Sequence, residues 1–259
     1  MDKIIITGQG IVGNATWETL KTFGPTIKRS QVEFHDPARG AWAQDWQEAQ
    51  WCFICVSTDF DRERGINDDR QVFAAIAEAN AQGFSGTYVL RSTVSLTTID
   101  DMEWLGDQLV VWPEFVRAAH WERDAVRPVV IAMGGTRAHE LGKFTGLIGA
   151  ANFMSNREAM ACKLAVNSYL AAKVIFFNNL YALCERTNMD FDLVMSAATS
   201  YPGIGPRHAH VPGPDGYLGY GGHCLPKDTK TFACDLAKFG SDASMLRSVI
   251  ESNDRIRND

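Results

Sequence analysis

Lys3-Ile4-Ile5-Ile6-Thr7-Gly8-Gln9-Gly10-Ile11-Val12-Gly13 decides the fold. A short β-prone run enters glycines spaced as G-x-G-x-x-G, and a second apolar run, Val32-Glu33-Phe34-His35, ends in Asp36. Strand, glycine turn, helix, strand and terminal acid together make a βαβ unit suited to a dinucleotide. Gly8 allows the tight turn, Gly10 lets the backbone approach a pyrophosphate, and Gly13 permits close helix packing. The amino terminus of the helix that begins at Ile11 and Val12 offers its amides to the phosphates. Asp36 is placed to accept from the adenosine ribose hydroxyls and to repel a 2'-phosphate, so NAD is expected rather than NADP. A tight turn without a ligand would leave the acid at the strand end unexplained.

Working outward, apolar β-rich runs recur at Trp51 to Val56, Thr87 to Arg91, Leu109 to Trp112 and Val129 to Met133, separated by helix-forming stretches. This alternation predicts an α/β fold with a Rossmann-type doubly wound parallel sheet of six strands. The character changes at Ser155-Asn156-Arg157-Glu158, which has the form of a capping box. From Arg157 to Glu185 there is neither proline nor glycine, enough for a helix roughly 43 Å long. Further helices are predicted around Phe191 to Thr199, Lys227 to Phe239 and Ala243 to Ile256, with a Pro/Gly-rich loop from Pro202 to Gly222. The sequence thus divides into a dinucleotide-binding domain, 1–154, and a small all-helical domain, 155–259, that opens on the long helix and carries a cysteine loop. Leu164, Leu170, Val174, Ile175, Phe176, Phe177, Leu180 and Leu183 place apolar side chains around much of that helix, and a homodimer is expected to cover one side.

Net charge is -6 from 25 Lys plus Arg and 31 Asp plus Glu, which offers no general attraction to nucleic acid or anionic lipid. No signal-peptide pattern opens the sequence and no uninterrupted apolar run reaches about 18 residues, so a cytoplasmic protein without a membrane span is expected. Cys52 and Cys55, three apart in one expected strand, face opposite sides and make a poor disulfide or zinc clip. Those two, with Cys162, Cys184 and Cys234, read as packing cysteines. His208, His210 and His223 lie in or beside the Pro/Gly loop without a third ligand of known placement, and no metal is expected.

Two elements carry the chemistry. Lys163 and Asn167, four apart, project from one face of the long helix. Gly219-Tyr220-Gly221-Gly222-His223-Cys224-Leu225-Pro226-Lys227-Asp228 crowds glycines before a cysteine at a helix start, where a nearby cation and the positive helix end both favour a thiolate. At these residues the sequence resembles the UDP-glucose/GDP-mannose dehydrogenase family, whose cysteine motif ends in Cys-x-x-Lys-Asp. Arg91-Ser92-Thr93-Val94 is similar to the family's Lys-Ser-Thr-Val segment, Pro113-Glu114-Phe115-Val116-Arg117 to its Pro-Glu-Phe-Leu segment, and Lys163-Leu164-Ala165-Val166-Asn167 to its helix motif.

The resemblance implies that the C6 alcohol of a nucleotide sugar such as UDP-glucose is oxidised twice to the carboxylate, with two NAD consumed. Cys224 would form the thioester, Lys163 and Asn167 would stabilise the oxyanion, and Asp228 would take the alcohol proton through a water. Glu114 and Thr93 would position and activate water. Ser57, Thr58, Ser92, Thr93 and Lys227 would join the glycine turn and Asp36 in holding the cofactor. Four departures stand out. The span from Asp36 to Trp51 is short for the family, so one helix of the cofactor domain is expected to be trimmed or lost. Where the family places an arginine near Ile-Gly this chain has Pro202-Gly203-Ile204-Gly205, leaving Arg207 as the substitute, and His223 replaces a small residue. The sequence stops at Asp259, where the family continues into a third domain that supplies much of the nucleotide pocket, so a separately encoded partner or a smaller substrate is a further expectation. Two rival readings are a 3-hydroxyacid dehydrogenase, which also pairs a Rossmann domain with a Lys-x-x-x-Asn helix but needs no cysteine, and a non-catalytic NAD-binding subunit.

Overall fold

β1 (Lys3–Thr7) buries Ile4, Ile5 and Ile6 completely and runs through the Gly8 turn into α1 (Ile11–Phe23). The computed structural model describes residues 3–257. β2 (Val32–His35) pairs in parallel with one side of β1, and β3 (Ala49–Ile54) with the other. A two-stranded ribbon, β4 (Phe60–Asp61) and β5 (Ile66–Asn67), precedes α2 (Arg70–Ala81) and β6 (Thr87–Leu90). Then come α3 (Leu96–Asp101), β7 (Leu109–Val111), α4 (Trp121–Ala125), β8 (Ala132–Gly134), α5 (Ala138–Phe144) and β9 (Asn152–Met154). The main sheet has seven strands in the order β2-β1-β3-β6-β7-β8-β9. Chain order reverses between β1 and β3, and the crevice beyond their carboxyl ends is where open α/β sheets bind ligands. Gly8 lies at that point.

The Rossmann-type sheet agrees with the sequence reading, with three differences. β8 runs antiparallel to β7 and begins at Ala132, not Val129, whose side chain is 80% exposed. β9 adds a seventh strand in parallel with β8; its three residues are too few to show a period. β3 begins two residues earlier than Trp51 and ends at Ile54. Between β2 and β3 there is no α-helix, only the single turns Pro37–Arg39 and Trp46–Glu48, so the expected trimming is observed. That short connection is held by the Asp36 amide donating to the Ala41 carbonyl at 2.8 Å and by Trp46, which is buried.

Buried apolar side chains pack both faces of the main sheet. Ile4, Ile6, Phe53, Val89, Val110, Trp112 and Met133 meet in a single cluster, and Trp51 stacks on Phe144 with ring centres 5.5 Å apart. Each such side chain, fully buried, contributes about 1.5–3 kcal/mol of apolar transfer. Cys52 and Cys55 are buried free thiols; burial pushes Cys55 up to about 11 and Cys52 further still. The packing assignment fails for Cys234, which is exposed, and holds only in part for Cys162, which is half-buried.

α6 (Asn156–Thr187) starts on the predicted box: the Ser155 amide donates to Glu158 Oε2 at 2.7 Å and the Glu158 amide to Ser155 Oγ at 3.3 Å. Asn156 fastens this end to the sheet, its Oδ1 accepting from the Val111 amide at 3.1 Å. By length and composition α6 could cross a membrane, with a mean hydropathy of 1.4 over its most apolar stretch. It buries Leu164, Ala171, Ile175, Phe177 and Cys184 within the protein, as a core helix of a globular domain does. The molecule falls into two compact units that divide at Asp59/Phe60, Ile66/Asn67 and Lys163/Leu164.

The second unit holds the rest of α6, α7 (Phe191–Thr199), α8 (Cys224–Lys238) and α9 (Ser244–Arg257). Phe177, Cys184, Phe191, Met195 and Ala209 form one small core, and Ala171, Ile175, Tyr220 and Val249 another. α8 starts at Cys224 instead of Lys227 because Pro226 sits in the first turn, where its missing N–H is not needed.

Candidate active site

Each glycine of the first turn has its own reason to be glycine. Gly8 has φ +83°, and a Cβ there would stand 2.7 Å from the Cys55 carbonyl oxygen. A Cβ on Gly13 would overlap the Gly8 carbonyl, so only glycine lets α1 pack this close to the turn. A Cβ on Gly10 would meet nothing within 4 Å, which leaves open space beside the amino end of α1. That end has no side-chain cap and no acid in its first turn, and Ile11 and Val12 open it. These features suit a pyrophosphate, which needs backbone amides, the positive helix end and no side chain in between.

Asp36 closes β2 with its carboxylate only 15% exposed. Its Oδ2 accepts from the Gln9 amide at 2.8 Å and lies 3.6 Å from Arg39 Nε. The acid therefore also braces the glycine turn, a contact that sequence reasoning does not supply. Ser57 is exposed and Thr58 buried just beyond β3, and the Ser92 hydroxyl donates to the Val56 carbonyl at 2.7 Å. Ser92 thereby ties the segments following β3 and β6 together.

After β6 and β7 the first unit collects Arg91, Thr93 and Glu114. Thr93 is buried, its carbonyl accepting from Asn67 Nδ2 at 3.0 Å. Glu114 is an ion-pair partner of Arg91, and its Oε1 accepts from the Phe115 amide at 2.8 Å. Lys163, at the unit's end on α6, is buried with its ammonium 5.0 Å from the centre of the Phe115 ring.

In the second unit Asp228 is the hub. It is 1% exposed, accepting from Asn167 Nδ2 at 2.6 Å on one oxygen and from the Lys227 ammonium at 2.7 Å on the other. A buried carboxylate is tolerated only with such partners. α6 and α8 are locked at this point. Cys224 stands exposed as the first residue of α8, four positions before Asp228 and so one helical turn from it.

Residues without an assigned role in the sequence hold the glycine approach to Cys224. Asn178 Oδ1 accepts from the Gly219 amide at 2.8 Å and Asn253 Oδ1 from the Tyr220 amide at 2.7 Å. Arg257 packs on Gly221, where a Cβ would collide with its guanidinium, and donates to the Leu218 carbonyl at 3.1 Å. Lys173 reaches the Ile204 and Gly205 carbonyls at 2.7 and 2.8 Å, next to the exposed Arg207. Lys173 and Asn178 carry a signal, a polar residue within an apolar stretch of α6, whereas Asn253 and Arg257 sit among the polar residues of α9 and carry none. His223 is exposed before α8, His208 is half-buried and His210 exposed.

Residues 157–255 match the model of the UDP-glucose/GDP-mannose dehydrogenase family, central domain. The UDP-glucose 6-dehydrogenase of Rhizobium meliloti is 30% identical over 221 residues, covering 78% of this chain and 49% of that protein. The chain spans about half the length of the curated relatives it matches. Among solved structures, a UDP-glucose dehydrogenase from the hyperthermophilic archaeon Pyrobaculum islandicum superposes with a TM-score of 0.77 at 23% identity, covering 98% of this chain and 68% of that one. A 3-hydroxyisobutyrate dehydrogenase from Mycobacterium tuberculosis gives 0.72 at 17% identity, covering 100% and 94%. At these identities the two structures attest the fold.

Proposed function

Because the chain carries the central domain of the UDP-glucose/GDP-mannose dehydrogenase family over residues 157–255, we propose that it is an NAD-dependent nucleotide-sugar 6-dehydrogenase. The observation that carries this reading is Cys224 on the first turn of α8, one turn from the buried Asn167-Asp228-Lys227 cluster. A 3-hydroxyacid dehydrogenase needs no cysteine there.

In this proposal the glycine turn holds the pyrophosphate, with Asp36 at the adenosine ribose. Ser57, Thr58, Ser92, Thr93 and Lys227 complete the cofactor's surroundings. When bound there, NAD would supply the hydride acceptor for each of the two oxidations. Asp228 takes the proton of the C6 alcohol through a water, and the Cys224 sulfur then adds to the aldehyde carbon. Lys163 and Asn167, one turn apart on α6, donate to the oxygen that gains charge. After the second oxidation Glu114 and Thr93 orient the water that splits the thioester, returning the Cys224 thiolate and releasing the carboxylate. The working form is a cytoplasmic homodimer that meets through the exposed side of α6.

A second reading, the 3-hydroxyacid dehydrogenase, shares the Rossmann-type sheet and the Lys163/Asn167 pair on α6. One assay separates the two. The chain is supplied with NAD and, in turn, UDP-glucose, other nucleotide sugars and 3-hydroxyisobutyrate, and NADH and carboxylate are measured for the parent and Cys224→Ser. Carboxylate from a nucleotide sugar that depends on Cys224 supports the proposal. Turnover of the hydroxyacid alone, unchanged in Cys224→Ser, sinks it.

A further inference from the structure

Arg91 is a guanidinium sealed in the sheet domain, 2% exposed, at a position where the resembled family has lysine. Its Nε donates to Thr16 Oγ1 at 3.0 Å, one terminal nitrogen donates to the Trp112 carbonyl at 2.8 Å, and the other pairs with Glu114. The guanidinium carbon lies 3.9 Å from the centre of the Trp112 ring. Thr16 in turn donates to the Val12 carbonyl at 2.8 Å, in the first turn of α1. Arg91 therefore joins three things: the helix that begins at the glycine turn, the end of β7, and the carboxylate of Glu114. Its planar fork reaches them together, whereas a lysine ammonium is a single point charge.

Resting on the reading of Glu114 as the water-orienting acid of thioester hydrolysis, we propose that Arg91 is a positioning residue that keeps Glu114 ionised and aimed. In that step water oxygen adds to the thioester carbon and one water proton passes to the Glu114 carboxylate and on to solvent. The carbon–sulfur bond breaks with its electron pair on the Cys224 sulfur, and the acid formed gives its second water proton to solvent to leave as the carboxylate. Glu114 can accept the proton only if it is ionised beforehand. With Oε2 on Arg91 and Oε1 on the Phe115 amide, its carboxylate plane is fixed from both sides. The other titratable groups around the pair are the Cys55 thiol, which burial keeps neutral, and Lys163, beside Phe115.

An opposite charge at contact distance lowers a carboxyl pKa by about one to three pH units. Hydrolysis should then persist above the lowered value and be lost as pH falls through it. Arg91→Met removes the cation, so the loss should begin at higher pH; Arg91→Lys keeps the charge and should restore most of the parent profile. The direct test is 13C-carboxyl NMR titration of glutamate-labelled chain, with Glu114 assigned by Glu114→Gln. Glu114 should titrate below the other glutamates in the parent, at least about one pH unit higher in Arg91→Met, and near the parent in Arg91→Lys. Near-UV circular dichroism checks that each variant is folded. An unchanged Glu114 titration in folded Arg91→Met overturns the inference, and if that variant does not fold, Arg91→Lys with Glu114 at an ordinary carboxyl value does the same. The kinetic arm follows the mass of the Cys224 adduct after mixing with NAD and nucleotide sugar, which should accumulate in Arg91→Met at low pH. Should the parent form no carboxylate and Arg91→Met no adduct while the titration behaves as stated, the proposed function fails and the Arg91-Glu114 assignment stands.

Discussion

Asn167 and Asp228 show how tightly single atoms are specified in this molecule. At 2.6 Å, the Asn167 amide must donate, because an ionised carboxylate only accepts. Asn167→Asp would set two carboxylates against each other in a buried place, and we predict a loss of thermal stability together with loss of activity. Asn167→Ala leaves an acceptor of Asp228 unmatched, at a cost of about 1–3 kcal/mol, readable in urea unfolding. If both variants unfolded like the parent, the Asn167-Asp228 bond would not matter to the folded state. Gly13 is specified by space instead: a side chain there would run into the Gly8 carbonyl. Gly13→Val should cost about 1–3 kcal/mol from overpacking and weaken NAD binding in isothermal titration by displacing the turn. At Asp36, which accepts from the Gln9 amide and carries the charge expected to reject a 2'-phosphate, Asp36→Ala should narrow the preference for NAD over NADP. Equal binding of NAD and NADP by the parent would contradict that assignment.

Among the elements, α6 shows why some of the structure could be read in advance and some could not. Its start was legible because a capping box is a local pattern, and both of its hydrogen bonds form. Ser155→Ala should destabilise the protein by about 1 kcal/mol, seen as a lower midpoint in thermal melting; an unchanged midpoint would mean that Asn156 alone anchors this end. β1, the glycine turn and α1 were legible for the same local reason. The bounds and direction of β8 and the existence of β9 were not, since pairing between two three-residue strands is decided by neighbours distant in sequence. The start of α8 was misread because proline suggests a break, yet at the third position of a helix it costs no hydrogen bond. Motif alone singles out Cys224, Asn167 and Asp228 as candidates, and the structure adds the Asn167-Asp228 contact. The supports from Asn178, Asn253 and Arg257 were hidden because each acts on backbone far along the chain. No spacing rule predicts such contacts.

For the whole molecule the open question is what covers the outer side of α6. Tyr169, Phe176 and Leu183 are 60%, 61% and 51% exposed, although they are large and apolar. They recur at seven-residue intervals, so they form one stripe along the helix, and side chains spaced in this way pack against a second helix. The opposite side, with Leu164, Ala171, Ile175 and Phe177, is already buried within the chain. Isolated exposed apolar residues are ordinary, but a continuous row is a mark of association. A second copy presenting the same stripe gives a two-fold, self-complementary contact, which is the commonest arrangement in soluble oligomers. We therefore predict a homodimer by light scattering at micromolar concentration. Phe176→Glu, in the middle of the stripe, would place two carboxylates near the two-fold axis and should convert the protein to monomer without unfolding it. Phe177→Glu should instead unfold it, because Phe177 lies in a core of the second unit. A monomeric parent, or a dimer that survives Phe176→Glu, would mean that the stripe serves some other contact and that α6 does not join two copies.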